Sequence, residues 1–127
     1  GFGTLNGDLT NAATITVGGA SATGTLNVTG NYLQTAAGSL EIEIGGLTAD
    51  TQFDVLAITG SATLAGTLEL SLVNGFTPLL GQTFSILTYG SLVSSPFNTE
   101  NGTDLGGGLE FGLTYDPTVL LLTVQNI

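Results

Sequence analysis

Apolar and polar side chains alternate in two stretches of the sequence, Gly38-Ser39-Leu40-Glu41-Ile42-Glu43-Ile44 and Gly66-Thr67-Leu68-Glu69-Leu70-Ser71-Leu72. A period of two is typical of a β-strand that is buried on one face. The pattern returns in residues 109–115, and residues 84–89 and 119–124 are more continuously apolar, as in strands covered on both faces. Because no window of ten or more residues has helical periodicity, the sequence predicts an all-β fold.

The first half of the chain contains an internal repeat. Val28-Thr29-Gly30 precedes the first alternating stretch, and Ile58-Thr59-Gly60 precedes the second. Triplets of the form Gly-Thr/Ser-Leu begin at Gly3, Gly24, Gly38 and Gly66. Units of this length with Gly-rich corners favour short β-solenoid-like coils over residues 1–72. An ordinary β-sandwich whose hairpins share turn chemistry stays open as the alternative.

The second half differs in composition, because it carries most of the aromatic residues. These are Phe76, Phe84, Tyr89, Phe97, Phe111 and Tyr115. Longer strands and a closing apolar strand indicate an antiparallel, β-sandwich-like C-terminal cap over residues 73–127, which would end the stack of coils. We therefore predict a single all-β domain, 1–127, in which the coils merge into the cap.

The charge composition excludes several kinds of partner. The chain has no Lys, Arg or His, and its ten Asp and Glu residues give a net charge of −10. Nucleic acids and anionic membrane surfaces are bound mainly through Lys and Arg, so neither is expected as a partner. The longest apolar run is far shorter than a membrane span, so no membrane insertion is expected. A composition bias of the source lineage is the other explanation for the missing cations.

Catalysis is not expected, and we predict no catalytic residue and no bound cofactor. Without His, Lys or Cys, the usual general base, Schiff-base amine and thiol nucleophile are all missing. A carboxylate pair such as Glu41 and Glu43, with Glu69 on a neighbouring strand, could in principle act on glycosides. The preferred interpretation is a solvated acidic face, because outward-facing alternation alone explains these residues.

Calcium is the one metal ion that the sequence leaves open. Glu100, Asn101 and Asp104 offer the hard oxygen ligands that Ca²⁺ prefers, and Asp50 and Asp54 flank another turn. Ordinary Asx turns are the alternative at both places. A divalent cation shared by stacked glutamates would also relieve their mutual repulsion.

The sequence resembles secreted bacterial β-solenoid surface proteins, in particular the C-terminal part of autotransporter-type passenger domains. The resemblance rests on Gly30-Asn31-Tyr32-Leu33-Gln34, on residues 38–46 and on residues 53–62, and continues through 65–68, 74–78 and 81–87. It covers roughly residues 24–127. It implies a non-catalytic β-structure that is secreted or displayed at a prokaryotic cell surface, and it leaves the specific function undefined.

Self-assembly is the function that these observations favour. The chain opens within the repeat pattern at Gly3-Thr4-Leu5 and ends in an apolar strand, and uncovered strand edges pair readily with another copy. The residues expected at such contacts are Phe2, Leu5, Val119, Leu121 and Val124. We predict an extracellular structural protein that forms a fibre or surface layer with itself as partner. The alternatives are an adhesive or scaffold module of a larger secreted protein, and a calcium- or carbohydrate-binding module with Tyr32 as an exposed aromatic.

Overall fold

A computed structural model describes residues 3–17 and 23–127, which form β-strands joined by turns and loops and contain no helix. The all-β prediction is therefore confirmed for this part of the chain, which also has no helix long and apolar enough to cross a membrane. The strands are β1 (Gly3–Leu5), β2 (Leu9–Asn11), β3 (Thr14–Thr16), β4 (Thr25–Val28), β5 (Tyr32–Gln34), β6 (Ser39–Ile44), β7 (Val55–Ile58), β8 (Ser61–Thr63), β9 (Thr67–Leu72), β10 (Thr83–Thr88), β11 (Ser91–Ser94), β12 (Thr99–Asn101), β13 (Asp104–Gly106), β14 (Leu109–Tyr115) and β15 (Val119–Asn126).

The first twelve strands form four successive three-strand units, and strands of equal rank pair in parallel. The first strands pair in the order β1-β4-β7-β10, the second in the order β2-β5-β8-β11, and the third in the order β3-β6-β9-β12. Each unit therefore adds one strand to each of three sheets.

The last three strands are antiparallel and continue the first of these sheets. β15 lies between β10 and β14, and β13 forms the far edge. The antiparallel character predicted for the C-terminal region is thus present. The sandwich-like arrangement is not, because these strands are hydrogen-bonded into the same seven-stranded sheet as β1, β4, β7 and β10.

Inward-facing side chains from the three sheets form one core. In β6, burial alternates residue by residue, and Leu40, Ile42 and Ile44 have no exposed surface. The register sets Leu40 beside Leu68 and Ile42 beside Leu70, so like side chains stack from unit to unit. Each fully buried Leu or Ile contributes about 1.5–3 kcal/mol relative to an exposed one.

The parallel arrangement extends further than the predicted boundary at residue 72. β10, β11 and β12 pair with β7, β8 and β9, so the fourth unit runs to Asn101. Its sequence differs because it also packs against the antiparallel strands. Phe84 is at the centre of an aromatic cluster with ring-centroid distances of 5.6 Å to Phe53, 6.0 Å to Phe76 and 5.7 Å to Phe111, all edge to face.

Glycine defines one corner of every unit after the first. The amide of Gly30 donates to the Gly7 carbonyl (3.0 Å), Gly60 to Gly30 (2.9 Å) and Gly90 to Gly60 (2.9 Å). A Cβ at Gly60 would lie within 2.6 Å of the Gly30 carbonyl oxygen, closer than real Cβ contacts. Tyr89-Gly90-Ser91 is therefore a third copy of the corner, and the even spacing of the three glycines was the sequence signal for it.

Candidate assembly interface

The outer edges of β1, β2 and β3 form one end of the stack, which we call the open end. In the ranges that the structure describes, no strand pairs with these edges. Gly3, Thr4 and Leu5 are all exposed along β1. Natural proteins commonly protect sheet edges with Lys, Pro or bulges, and these three strands carry none of those devices.

Apolar side chains of the core reach the surface at the open end. The register aligns Leu5 with Val28 and Ile15 with Leu40. Val28 and Leu40 are completely buried, whereas Leu5 is 37% exposed and Ile15, like Leu9, is half-buried. These positions face the interior but lack a further layer of side chains on their outer side.

The open end is also nearly free of charge. Asp8 is the one carboxylate within residues 3–17. Its Oδ1 accepts a hydrogen bond at 2.8 Å from the backbone amide of Asn31, which belongs to the second unit. The rest of the chain carries the other nine acidic groups.

The opposite end, which we call the closed end, carries the antiparallel strands: β15 pairs with β10, whereas β11 and β12 are the outer strands of their sheets. The Tyr115 hydroxyl donates to Glu100 Oε2 at 2.5 Å and accepts from the Phe97 amide at 3.3 Å. The Phe111 amide donates to the Thr103 carbonyl at 2.8 Å. Burial, and then the hydrogen bond to Glu100, raise the pKa of Tyr115 well above its ordinary value, so the hydroxyl stays a donor. β14 is thereby attached to the third strand of the fourth unit.

Of the residues predicted to contact another copy, one lies at the open end and three lie in a strand that is paired on both sides. Leu5 is at the open end, while Phe2 lies outside the described residues. Val119, Leu121 and Val124 belong to β15, which is paired on both sides, and Val124 is 1% exposed. The closing apolar strand is therefore an interior strand and offers no free edge.

The predicted calcium ligands have separate protein partners. Glu100 faces the interior beside Leu68 and accepts from Tyr115, whereas Asn101 Nδ2 donates to Glu69 Oε1 at 2.7 Å. Asp104 Oδ1 accepts from the Gly106 amide at 2.9 Å, which is the Asx turn considered as the alternative. Neighbouring strand residues point to opposite faces, so Glu100 and Asn101 diverge. Among the residues of known placement, no three acidic groups gather as metal ligands would.

Four outward-facing residues of the third sheet form what we call the outer ladder: Thr16, Glu41, Glu69 and Asn101. Glu41 and Glu69 are direct neighbours on adjacent strands. The Thr16 hydroxyl donates to Glu41 Oε1 at 2.7 Å, and Asn101 Nδ2 donates to Glu69 Oε1. A neutral donor on each side therefore offsets part of the repulsion between the two carboxylates.

Asp54 is a fully buried carboxyl group between β6 and β7. Its Oδ1 accepts from the Gly24 amide at 2.9 Å and its Oδ2 from the Glu43 amide at 2.8 Å. Burial raises the pKa of Asp54 to about 7, although the two amides favour the charged form and lower it; the charge of Glu43 raises it further. The sequence analysis placed Asp54 beside a turn and missed its burial, although the flanking Phe53 and Val55 were a signal for it.

A buried polar cluster connects the first three units. Asn11 Nδ2 donates to the Tyr32 hydroxyl at 3.1 Å, and that hydroxyl donates to Gln34 Oε1 at 2.6 Å. Gln34 Nε2 donates to the carbonyls of Ala65 (2.8 Å) and Thr67 (3.0 Å). Burial raises the pKa of Tyr32 to about 12. Tyr32 has no exposed surface, so it does not provide the exposed aromatic expected of a carbohydrate-binding site.

Comparison with protein-family models and with curated proteins gives no match to this chain. The function is therefore proposed from the structure, in particular from the difference between the two ends of the stack.

Proposed function

We propose that this chain is a non-catalytic structural module, the closed end segment of an extracellular β-solenoid. In this proposal the four three-strand units are its coils, and β13–β15 are the strands that end it. The proposal is supported by the in-register parallel pairing of strands of equal rank and by the glycine corner that recurs in three units.

The observation that carries the proposal is the difference between the two ends. In the part of the chain that the structure describes, all three edges at the open end are without a strand partner. At the other end β15 pairs with the edge of β10, and only β11 and β12 are outer strands. An open-ended fibre needs complementary surfaces at both ends, so that each subunit joins the next head to tail. The paired β10 edge favours a terminating segment over a fibre subunit that extends in both directions.

The extracellular location follows from composition and from the resemblance to secreted surface proteins. A chain without Lys or Arg has no trypsin site, which suits exposure to external proteases. Immunolabelling of intact, unpermeabilised source cells tests this location. Signal that requires permeabilisation would contradict it.

A deletion of one whole unit tests the solenoid. Removing residues 25–54 joins Gly24 to Val55, and Val55 occupies the register position of Thr25. The deletion is combined with Asn11→Leu because Asn11 loses its partners Tyr32 and Gln34. Since each coil contacts only its neighbours, the shortened protein should retain a β-sheet circular dichroism spectrum and unfold cooperatively at a lower temperature.

The matched control removes residues 25–55, one residue more. A slip of one residue turns every side chain of the following strand to the opposite face, so this variant should be unfolded or aggregated. If both deletions behave alike, the solenoid proposal is wrong.

A further inference from the structure

The peptide bond between Asp116 and Pro117 is the one Asp–Pro bond of the sequence, and it lies in the turn between β14 and β15. The nitrogen of Pro117 belongs to a tertiary amide without an N–H group, which makes it a better proton acceptor and leaving group than other backbone nitrogens. The Asp116 side chain carries a carboxyl group that can reach the carbonyl carbon of its own residue. A nucleophile and a leaving group therefore meet at this peptide bond.

Tyr89 holds the turn on both sides of that bond. Its hydroxyl donates to the carbonyl oxygen of Asp116 at 2.8 Å, and its backbone amide donates to the carbonyl of Thr118 at 3.0 Å. The Asp116 amide donates to the Val119 carbonyl at 2.9 Å. Tyr89 is 4% exposed, and a hydrogen bond in such surroundings is electrostatically stronger than in water. The carbonyl group that the carboxyl would attack is thus already hydrogen-bonded to a fixed donor.

The Tyr89 hydroxyl keeps its proton and stays a donor at acid and neutral pH. Burial, and then the negative charge of Asp116, raise the pKa of Tyr89 above its ordinary value. The second cause shows that the Asp116 carboxyl lies close enough to interact electrostatically with this hydroxyl. Tyr89 also interacts with Tyr115, whose hydroxyl is bonded to Glu100. The acid, the carbonyl group and a neutral donor are therefore gathered at one turn.

We propose that the Asp116–Pro117 bond cleaves itself, with the Asp116 carboxyl group as nucleophile and the Tyr89 hydroxyl as the donor that stabilises the oxyanion. A carboxyl oxygen bonds to the backbone carbonyl carbon of Asp116, and negative charge develops on the oxygen to which Tyr89 donates. The bond to the Pro117 nitrogen breaks, and the carboxyl proton moves to that nitrogen, which leaves a cyclic anhydride and a secondary amine. Water then opens the anhydride, so that Asp116 becomes a new C-terminus and Pro117 a new N-terminus.

Cleavage in this turn leaves the strands in place. β15 is paired with β10 on one side and with β14 on the other, and both pairings consist of hydrogen bonds between strands. Residues 117–127 therefore stay attached without a covalent link, and the processed protein keeps its fold in two pieces. Because the reaction occurs once and consumes its own bond, it is compatible with a structural module. It does not depend on the proposed solenoid, so the two proposals can fail separately.

Mass spectrometry of the protein kept in mild acid tests the self-cleavage. The measurement uses the lowest pH between about 4 and 6 at which the circular dichroism spectrum is native, because the attacking carboxyl must carry its proton. Fragments 1–116 and 117–127 should accumulate. We expect the folded protein to cleave at least about tenfold faster than the same chain in urea at the same pH, because only the fold supplies the Tyr89 donor. Asp116→Glu should abolish the cut, since its longer side chain would have to close a larger ring.

Tyr89→Phe separates the donor from the rest of the site. It should slow cleavage of the folded protein at least about tenfold and leave the rate in urea within about twofold of the parent. The matched control is Tyr32→Phe, which removes another buried hydroxyl, in the second unit. The control should leave the rate in the folded protein within about twofold of the parent.

Each other outcome overturns the inference. Equal rates for the folded protein and the chain in urea would indicate the ordinary acid lability of an Asp–Pro bond. Equal slowing by both tyrosine variants would indicate an effect of stability alone. Absence of the two fragments, or equally fast cuts at other aspartates, would exclude a dedicated site in this turn.

Discussion

Asp54 illustrates how a chain without cations accommodates a buried acid. Two backbone amides, from Gly24 and Glu43, each donate to one carboxyl oxygen, yet burial still raises the pKa of Asp54 to about 7. The Oε1 atom of the neighbouring Glu43 is also buried, and none of the described residues forms a hydrogen bond with it. Loss of the proton from Asp54 would place a second negative charge beside that group, so the folded state favours the protonated acid.

The stability of the protein should therefore fall as pH rises from about 4 to about 7. In the unfolded chain Asp ionises near pH 4, whereas folded Asp54 keeps its proton up to about pH 7. Protonated Asp54 contributes its full stabilisation at pH values below the pKa of Asp in the unfolded chain. That contribution is lost as the pH rises through the pKa of Asp54 in the folded state, at no more than about 1.4 kcal/mol per pH unit. Urea unfolding at pH values from 4 to 8 measures this slope.

Asp54→Asn should remove the contribution of Asp54 to the pH dependence of stability. It should also lower stability at acid pH, because the Asn side chain has only one oxygen for the two backbone amide donors. The matched control is Asp50→Asn, an exposed residue with positive φ, which Asn tolerates. An unchanged slope in the Asp54 variant, or the same change in the control, would assign the pH dependence to the other carboxylates.

Gly60→Ala should strongly destabilise the fold. The added Cβ would approach Asn31 Oδ1 and the Gly30 carbonyl, both held in the corner hydrogen bonds between units. We expect a loss of about 2 kcal/mol or more in the free energy of unfolding, measured by urea denaturation.

Gly112→Ala is the matched control for the corner glycine. Its Cβ would meet only the end of the Gln125 side chain, which can move aside. We expect a loss of less than about 1 kcal/mol there. Comparable losses at the two positions would show that the corner has no special packing constraint.

At the scale of elements, Tyr115 attaches the antiparallel strands to the fourth unit in addition to the pairing of β15 with β10. Tyr115 is hydrogen-bonded to both Glu100 and the Phe97 amide, and its ring lies 6.3 Å from that of Phe97. These contacts join β14 to the third strand of the fourth unit, whereas backbone hydrogen bonds hold β15 to β10, in the first strand of that unit. The cap is thus fixed at two separate sites.

Tyr115→Phe should loosen the cap and leave the first three units intact. It removes the donor to a carboxylate and the acceptor for an amide, so we expect a loss of about 1–3 kcal/mol. Hydrogen exchange should show faster exchange in β13 and β14 with unchanged protection in β6.

Tyr89→Phe is the matched control, because its hydroxyl donates to a neutral carbonyl, that of Asp116. A smaller loss is expected there, since bonds to charged groups are the stronger ones. Uniformly faster exchange along the whole chain in the Tyr115 variant would contradict a separate role for the cap.

At the scale of the whole molecule, ten acidic residues act without any compensating cation. Adding 0.5 M NaCl at pH 7.5 should therefore raise the melting temperature and strengthen association, because salt screens the repulsion between carboxylates. Scanning calorimetry measures the first effect and sedimentation the second.

The control for the salt experiment is the same pair of measurements at pH 2.5, where carboxyl groups are largely protonated. The effect of NaCl should be much smaller there. An equal effect at both pH values would mean that salt acts through hydrophobic burial and not through charge.

The candidate assembly interface was only partly predictable. Leu5 was identified from the repeat pattern that begins at Gly3, and it lies at an edge with which no described strand pairs. Val119, Leu121 and Val124 were chosen because their strand is apolar. An apolar strand can equally be an interior strand, and only the pairing of β15 on both sides distinguishes the two.

Local structure could be predicted from the residues alone: which segments form strands, which apolar side chains face inward, and where glycine forms a corner. Those properties depend on the two-residue period of an extended backbone and on the small size of glycine. The fold had to be known before one could say that Glu100 and Tyr32 face inward, that the parallel pairing reaches Asn101, and that β15 extends the first of the three sheets at one end of the stack. Pairing joins residues far apart in the chain, and the burial of a polar group depends on partners that no local pattern specifies.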